Sequence, residues 1–442
     1  MIAATEDVLD VAAAALQHTH RGEAEVIVSA HSDELTRFAA NAIHQNVAET
    51  SLRVRARVID DDRVGVASLG GADADELVQR VMTAAEDARR VSPATEVTPL
   101  PQPDGGPDAP TAYSEATASA TPEQRADSVA IIAKRAAAQS LKAYGFVSTT
   151  RTETAIVNAR GIRRRALSTR ASSVVVVRGD AGSGYASRHA ADVNALDIDA
   201  MASEAVDTCM RNQNADAIDP GTYEVVLGPY AVTDMLEHLG WVGLSALAVQ
   251  EHRSFMRFGE RVMSDSVTIR DDARDPGLFP YPFDYEGTST RPVTLIESGV
   301  CREVVHDSAT ARQDGVRSTG HSLPQPNTFG PYASHLAMDA GSGSMESQIA
   351  SVKRGLYVTR FWYVRDVDPL HTIITGMTRD GTFLIEDGRL GHPVRDLRFT
   401  QGIVDALDDV RGISSQRRLE LGEGESGVLA PWLHLGHFAF TS

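Results

Sequence analysis

Residues 258–321 constrain the fold of this chain more than any other stretch. Apolar Val267 and Ile269 alternate there with polar neighbours, and a second apolar alternation ends at the Ser298-Gly299 turn. A period of two predicts half-buried strands rather than helices. The stretch ends in a polar loop, residues 318–321, and it is richer in Asp, Glu, Arg and His than a bare scaffold needs. We therefore expect a β-rich unit with candidate functional residues in its loops.

The rest of the chain mixes helical and strand patterns. We predict the α+β class, with mixed N-terminal domains that carry antiparallel sheets, followed by a β-rich C-terminal domain. A proline-rich segment predicts an extended linker at residues 93–112. Residues 1–92 then form a first α+β domain, and residues 113–218 a second one built from a helix and an antiparallel meander. Residues 219–442 form the C-terminal domain.

Three local patterns specify elements within these domains. Apolar alternation predicts separate strands at residues 143–149 and 153–158, and a strand at 428–440. A long apolar run predicts a single helix over residues 230–249. These elements place the candidate residues discussed below on helices, strands and loops.

Composition and charge narrow the class of protein. Sixty acidic residues against 42 basic ones give a net charge of −18, and no basic run offsets it. This balance argues against nucleic acid and anionic membranes as partners. The two cysteines, Cys209 and Cys301, have no close partner in sequence, which suits a reducing compartment. The N-terminus lacks the positive segment of a signal peptide. We therefore expect a cytoplasmic protein with no membrane partner.

A series of short segments resembles the C-terminal domain of the TldD/PmbA family. These segments occur in the family's order over about half of the chain, and the N-terminal half agrees more loosely. They are GERV at 259–262, FDYEG at 283–287, LIESG at 295–299, RSTGH at 317–321, KRGLYVTRFW at 353–362 and LIEDG at 384–388. The resemblance implies a metallopeptidase-related fold.

The catalytic, TldD-type branch of that family implies a zinc site. Its zinc is held by a helical His-Glu-x-x-x-His and by a cysteine near the C-terminus. In the matching helix of this chain, Leu247 and Ala248 replace the first His and the Glu, and only His252 falls on the second His. Residues 425–427 stand near the third ligand, and no cysteine follows Cys301. Leu and Ala cannot bind zinc or activate water. The resemblance is therefore to the PmbA branch, also called TldE, which is the non-zinc half of a two-protein peptidase.

Other histidines are further candidates for metal ligands. His434 and His437 form an HxxH in a predicted strand, where residues three apart point to opposite faces. His306-Asp307 and His321 bracket one polar loop. They form either a metal or acid/base site or the hydrogen bonds that fix the loop. We expect no metal site and no catalytic residue in this chain.

These considerations predict the non-zinc subunit of a TldD/TldE-type heterodimeric metallopeptidase. The partner, a TldD-type subunit, would supply zinc, and this chain would have no cofactor of its own. It would shape a chamber that admits small or unfolded peptides. The candidates for substrate or interface contacts are Ser318, Thr319, Gly320, His321, Arg360 and His252.

Other interpretations remain open at the level of sequence. In one of these interpretations, the six candidate residues only stabilise loops and strands. A stand-alone, non-catalytic homodimer that binds or assembles other molecules also fits a chain without catalytic residues. A third interpretation is a subunit that tailors a peptide-like natural product.

Overall fold

The computed structural model describes residues 7–71, 73–106, 111–422 and 427–442. The helices are α1 Val8–Gln17, α2 Ala74–Val91, α3 Glu115–Ala118, α4 Pro122–Ala138, α5 Ile198–Arg211, α6 Pro229–Val242, α7 Ala246–Gln250, α8 Ser308–Asp314, α9 Met345–Ser351 and α10 Ile403–Asp408, with a 3₁₀ turn at Val193–Ala195. None of these helices is both long enough and apolar enough to cross a membrane.

The strands fall into two groups along the chain. The first group is β1 Glu23–Ala39, β2 Ala42–Asp60, β3 Arg63–Gly71, β4 Lys142–Asn158, β5 Arg163–Arg178 and β6 Ser183–Ala190. The second is β7 Gly221–Leu227, β8 Ile269–Asp271, β9 Val293–Glu297, β10 Val300–Cys301, β11 His335–Met338, β12 Arg354–Asp368, β13 Ile373–Glu386, β14 Arg389–Val394, β15 Arg398–Gly402, β16 Val410–Leu421 and β17 Gly427–Phe440. Segregated helices and sheets of this kind confirm the α+β class.

The first six strands form one antiparallel sheet in the order β3-β2-β1-β4-β5-β6. Strand β1 pairs with β4 from Glu25–Asn158 to Phe38–Gly145. The proline-rich linker at residues 93–112 therefore does not separate two sheets, because the segments before and after it share this one. Strand β4 is also continuous where the sequence predicted two strands, at residues 143–149 and 153–158.

Helices cover one face of this N-terminal sheet. Apolar side chains of α1 and α2 pack on alternate residues of β1 and β4, such as Val26, Val28 and Ala155. Helices α4 and α5 extend the same layer over β4, β5 and β6. Alternate residues of a strand point to opposite faces, so the intervening residues of β1 and β4 face away from the helices. That second face is turned toward the C-terminal domain.

The C-terminal domain is built on an eleven-stranded mixed sheet in which β17 is central. Strand β17 pairs with β7, β11, β15 and β16, which agrees with the strand predicted at residues 428–440. Apolar residues of α6 pack on this sheet in the largest hydrophobic cluster, together with Leu227, Leu433 and Phe438. Burial of this apolar area is what fixes α6 against the sheet.

The prediction of a single helix over residues 230–249 is wrong, because the helix is interrupted at Gly243. Helix α6 ends at Val242, and α7 begins at Ala246 after Ser245, whose side chain accepts a hydrogen bond from the Ala248 amide. A Cβ atom at Gly243 would lie 2.5 Å from the Phe255 ring. Glycine at this position and a serine N-cap just after it end one helix and start another.

Phe283 connects the two halves of the molecule. This C-terminal residue is 1% exposed and packs on Ile27, Ile156 and Ile162 from the second face of the N-terminal sheet. Its ring is therefore an apolar seal between the sheet and the C-terminal domain.

We expect Phe283→Ala to lower the free energy of unfolding by about 3–5 kcal/mol, since it leaves a cavity in this seal. Phe258→Ala is the matched control, because Phe258 is 51% exposed. That control is expected to cost about 0.5 kcal/mol or less. Chemical denaturation of both variants measures the difference, and equal costs would contradict the role of Phe283.

Candidate functional site

A cavity of about 670 Å³ lies between the N-terminal sheet and the C-terminal domain. Strands β1, β4 and β5 supply one wall. The end of α6, residues 279–285, residues 320–323 and residues 332–335 supply the other. Of the six candidates named from the sequence, Gly320 and His321 line this cavity.

The sheet wall of the cavity is polar and regular. Thr150, Thr152 and Thr154 alternate along β4 and so share one face. Neighbouring strands place His31 opposite Thr152 and Ser29 opposite Thr154. The same face becomes apolar next to Ser29, where the Phe283 seal begins. A polar wall thus starts where apolar packing between the domains ends.

The opposite wall is aromatic. Trp241 of α6 stacks on Tyr332 with 4.5 Å between ring centroids, and the Phe329 ring meets it edge-on at 6.0 Å. Trp241 is 41% exposed and Tyr285 is 39% exposed, and both line the cavity. Large aromatic side chains left open to a cavity make it a candidate binding site.

His321 and Asp271 form a buried pair at the cavity wall. The Nε2 atom of His321 lies 2.8 Å from Asp271 Oδ1, and Nδ1 lies 2.8 Å from Thr319 Oγ1. The Thr319 hydroxyl donates to the carbonyl of His306, so it accepts from His321. Both ring nitrogens therefore face hydrogen-bond acceptors.

The Asp271 carboxylate is held in its charged form. Burial alone raises the pKa of this carboxyl group, but the His321 imidazole and hydrogen bonds from His321 and the His335 amide outweigh burial. The net effect lowers the pKa of Asp271 below its usual value. The pair therefore links β8, the loop at residues 318–321 and the start of β11 at one point of the cavity wall.

Comparison with family models decides which group of proteins this chain falls in. The model described as the PmbA/TldA metallopeptidase C-terminal domain matches residues 220–442, half of the chain. The model described as PmbA/TldA metallopeptidase domain 1 matches residues 24–85. The chain belongs to the PmbA/TldD family. This confirms the resemblance seen in the sequence.

Relatives within the PmbA/TldD family match parts of the chain. A metalloprotease of Methanothermobacter thermautotrophicus is 26% identical over 243 residues, 53% of this chain and 52% of that protein. A metalloprotease TldD homolog of Haemophilus influenzae is 28% identical over 237 residues, 51% and 48% of the two chains. This chain thus spans about half the length of these curated relatives.

A solved member of the PmbA/TldD family shares the fold over nearly the whole chain. The crystal structure of TldE from Thermococcus kodakarensis superposes with a TM-score of 0.86. The match covers 96% of this chain and 97% of that one, at 19% sequence identity. At that identity the comparison shows a common fold.

The PmbA/TldD helix that would carry zinc ligands is short here. Ser245 caps α7, which contains Leu247 and Ala248; His252 follows its end with a φ of 56° and is exposed. Leu247 packs against Gly330. In the part of the chain that the structure describes, no three or more His, Cys, Asp and Glu side chains are grouped to hold a metal ion. Residues 425 and 426, near the expected third ligand, lie outside the described residues.

The loop before His321 is fixed by hydrogen bonds. The Thr319 hydroxyl accepts from the His306 amide at 2.7 Å, and the Ser318 hydroxyl donates to the His306 carbonyl at 3.1 Å. Gly320 has a φ of 73°, and a Cβ there would lie 2.4 Å from the Ser289 carbonyl oxygen. These contacts correspond to the loop-fixing hydrogen bonds that were one of the two alternatives at the level of sequence. Thr319 and Ser318 position His321 from behind the cavity wall.

Arg360 lies in a second cavity of about 420 Å³ and not with His321. Its Nε donates to Asp380 at 2.8 Å, and its guanidinium carbon lies 4.0 Å from the centre of the Tyr185 ring. The two HxxH histidines also have different partners. His434 lies 2.8 Å from Glu224, and His437 lies 3.1 Å from Asp405. The candidate residues from the sequence therefore lie at separate sites in the structure.

The main residues of the large cavity were missed from the sequence. Trp241 was noted only as part of a helix, and the threonines of β4 only as strand residues. Thr150, Thr152 and Thr154 do carry a signal, since hydroxyls at every second position of a strand define one polar face. Which element faces that polar wall depends on the packing of the two domains, and this is not encoded in any local pattern.

We expect Asp271→Asn to lower the free energy of unfolding by about 3–5 kcal/mol near neutral pH, because it removes the ionised acceptor from a buried hydrogen-bonded pair. A lowered pKa means that the Asp271 contribution is full above the unfolded-state value of about 3.9 and is lost as the pH falls through the lower folded-state value. Denaturation between pH 7 and pH 3 should show this acid-dependent loss in the parent and less of it in the variant. Exposed Asp265→Asn is the control, and a similar curve for both variants would contradict the pairing.

Glu420, at the second cavity, gives the opposite pH dependence. Burial raises its pKa to about 8, although Arg418 and the Ser187 hydroxyl oppose burial. The unfolded chain releases this proton from about pH 4.3 upward, so the folded state loses stability as the pH rises toward 8. Glu420→Gln should reduce this loss, measured by urea unfolding at pH 5 and pH 8. The exposed control Glu346→Gln should follow the parent, and an unchanged slope for Glu420→Gln would contradict the assignment.

Proposed function

We propose that this chain is the non-zinc subunit of a two-protein metallopeptidase that acts on small or unfolded peptides in the cytoplasm. Its partner is a zinc-bearing relative of the PmbA/TldD family. This chain contributes walls of the chamber in which the peptide is held, and the partner contributes the reacting zinc.

The observation that carries the proposal is an intact family scaffold with apolar side chains at the zinc-ligand positions. Leu247 and Ala248 stand on α7 where the catalytic branch has His and Glu, and neither side chain offers a donor atom. His252 alone remains, and it is exposed at the end of that helix. The residues of this helix therefore do not fit zinc, and no reaction step is assigned to them.

The cavity between the domains supports a role in holding peptides. Its volume of about 670 Å³ lies within the range of small-molecule and peptide sites. An aromatic wall at Trp241 and a hydroxyl wall on β4 offer packing and hydrogen bonding to a peptide. The relative named TldE has the same fold over nearly the whole chain.

Co-expression with a zinc-bearing family member from the same genome tests this function. We expect a stable complex with about one zinc per pair, since a catalytic site needs three protein ligands that the relative would supply. This chain alone should hold no stoichiometric zinc. Hydrolysis of a fluorogenic short peptide should require both proteins.

Two controls sharpen that experiment. Replacing a zinc-ligating His of the relative should abolish hydrolysis and zinc binding, whereas His252→Ala in this chain should leave the zinc content of the complex unchanged. Peptidase activity that persists without this chain would contradict the proposal. A homodimer on size-exclusion chromatography that ignores the relative would instead favour a stand-alone binding protein.

A further inference from the structure

The two walls of the large cavity differ in chemistry in a way that selects a ligand. The side chains of Thr150 and Thr152 lie on the sheet wall, and Trp241 lies on the other wall. A ligand that suits both walls has hydrogen-bonding groups along one side and a large apolar group on the other. Short peptides in an extended conformation meet this description.

The hydroxyl groups are spaced as an extended peptide requires. Alternate residues of a strand are about 6.6–6.8 Å apart, which is also the two-residue repeat of an extended peptide. Strand register adds Ser29 opposite Thr154 and Ser168 opposite Thr152, so the pattern continues across three strands. The hydroxyl groups of Ser29, Thr150 and Ser168 make no hydrogen bond with other described residues, whereas the Thr152 hydroxyl lies 3.1 Å from His31 Nδ1 and keeps further hydrogen-bonding capacity, since a hydroxyl has one donor and two acceptor positions.

Titratable side chains of both signs border the cavity. Asp33 and Arg170 flank Thr150 in adjacent strands, so their opposite charges stand on either side of one hydroxyl. The Asp284 carboxylate accepts hydrogen bonds from the amides of Glu286, Thr288 and Ser322. His321 is paired with Asp271. Recognition in this cavity therefore depends on neutral hydrogen bonds and on packing.

We propose that this cavity binds an extended peptide segment through Thr150 and Thr152, with an aromatic side chain of that peptide packed on Trp241. The ring contacts of Tyr332 and Phe329 hold the indole ring of Trp241 in place, so little side-chain freedom is lost on binding. The inference rests on the proposed function, because it specifies which peptides this chain would select for the chamber. An aromatic residue in the peptide is the predicted selectivity.

Calorimetric titration of the full chain alone, without a partner or zinc, tests the proposal. The probe is the blocked pentapeptide acetyl-Ala-Ala-Phe-Ala-Ala-amide, compared with acetyl-penta-alanine amide. We expect the Phe peptide to bind about tenfold or more tightly, because aromatic packing adds to buried apolar area. Trp241→Ala should remove this preference, whereas Phe258→Ala, which deletes an exposed aromatic ring outside the cavity, should not.

The hydroxyl wall is tested separately. Thr150→Val keeps the side-chain shape and removes one hydrogen bond, so it should weaken both peptides by about fivefold. The control is Thr222→Val, which changes an exposed residue of β7 outside the cavity. Circular dichroism and the unfolding midpoint should match the parent for each variant, which separates loss of binding from loss of folding.

Three outcomes would overturn the proposal. The Phe peptide could fail to bind at millimolar concentration, or Phe258→Ala could weaken binding as much as Trp241→Ala. Cellopentaose could also bind more tightly and displace the peptide, which would indicate a carbohydrate site. Because these measurements use the chain alone, their failure is distinct from failure of the two-protein peptidase assay.

Discussion

The long antiparallel pairing of β1 with β4 is the constraint on which the site depends. It joins the segments before and after residues 93–112 into one sheet and fixes which residues share a face. A shift of one residue in this pairing would put Thr150, Thr152 and Thr154 on the same face of the sheet as Val26 and Val28. Because helices bury the apolar face, the register is strongly specified. The polar wall of the cavity is therefore a consequence of the core on the other side.

The C-terminal domain meets that wall through two kinds of contact. Phe283 buries apolar area against the sheet, and this non-directional contact holds the domains together. The His321–Asp271 pair is directional, and it fixes the loop that borders the cavity. Apolar packing thus holds the two domains together, while the buried pair fixes the geometry of the loop next to the cavity. Removing either contact should affect the cavity by a different route.

Much of the fold could be predicted from the sequence, and much of the cavity could not. Periodicity identified the α+β class, and it identified the strand that became β17. It failed at Gly243, where close approach of Phe255 and a serine cap ended a helix that apolar residues alone would continue. Gly320 and His321 were found because their loop is dense in polar residues. Trp241 was missed because its role comes from the domain that packs across from it.

Leu247 and Ala248 illustrate that a shared fold does not by itself specify a chemical activity. Apolar packing of α6 and the β-sheet is satisfied by many sequences, so the scaffold persists at 19% identity to a solved relative. Metal binding needs particular donor atoms at particular positions, and single substitutions remove them. The cavity between the threonine-lined sheet and Trp241 depends on the first property alone, so it forms whether or not those donor atoms are present.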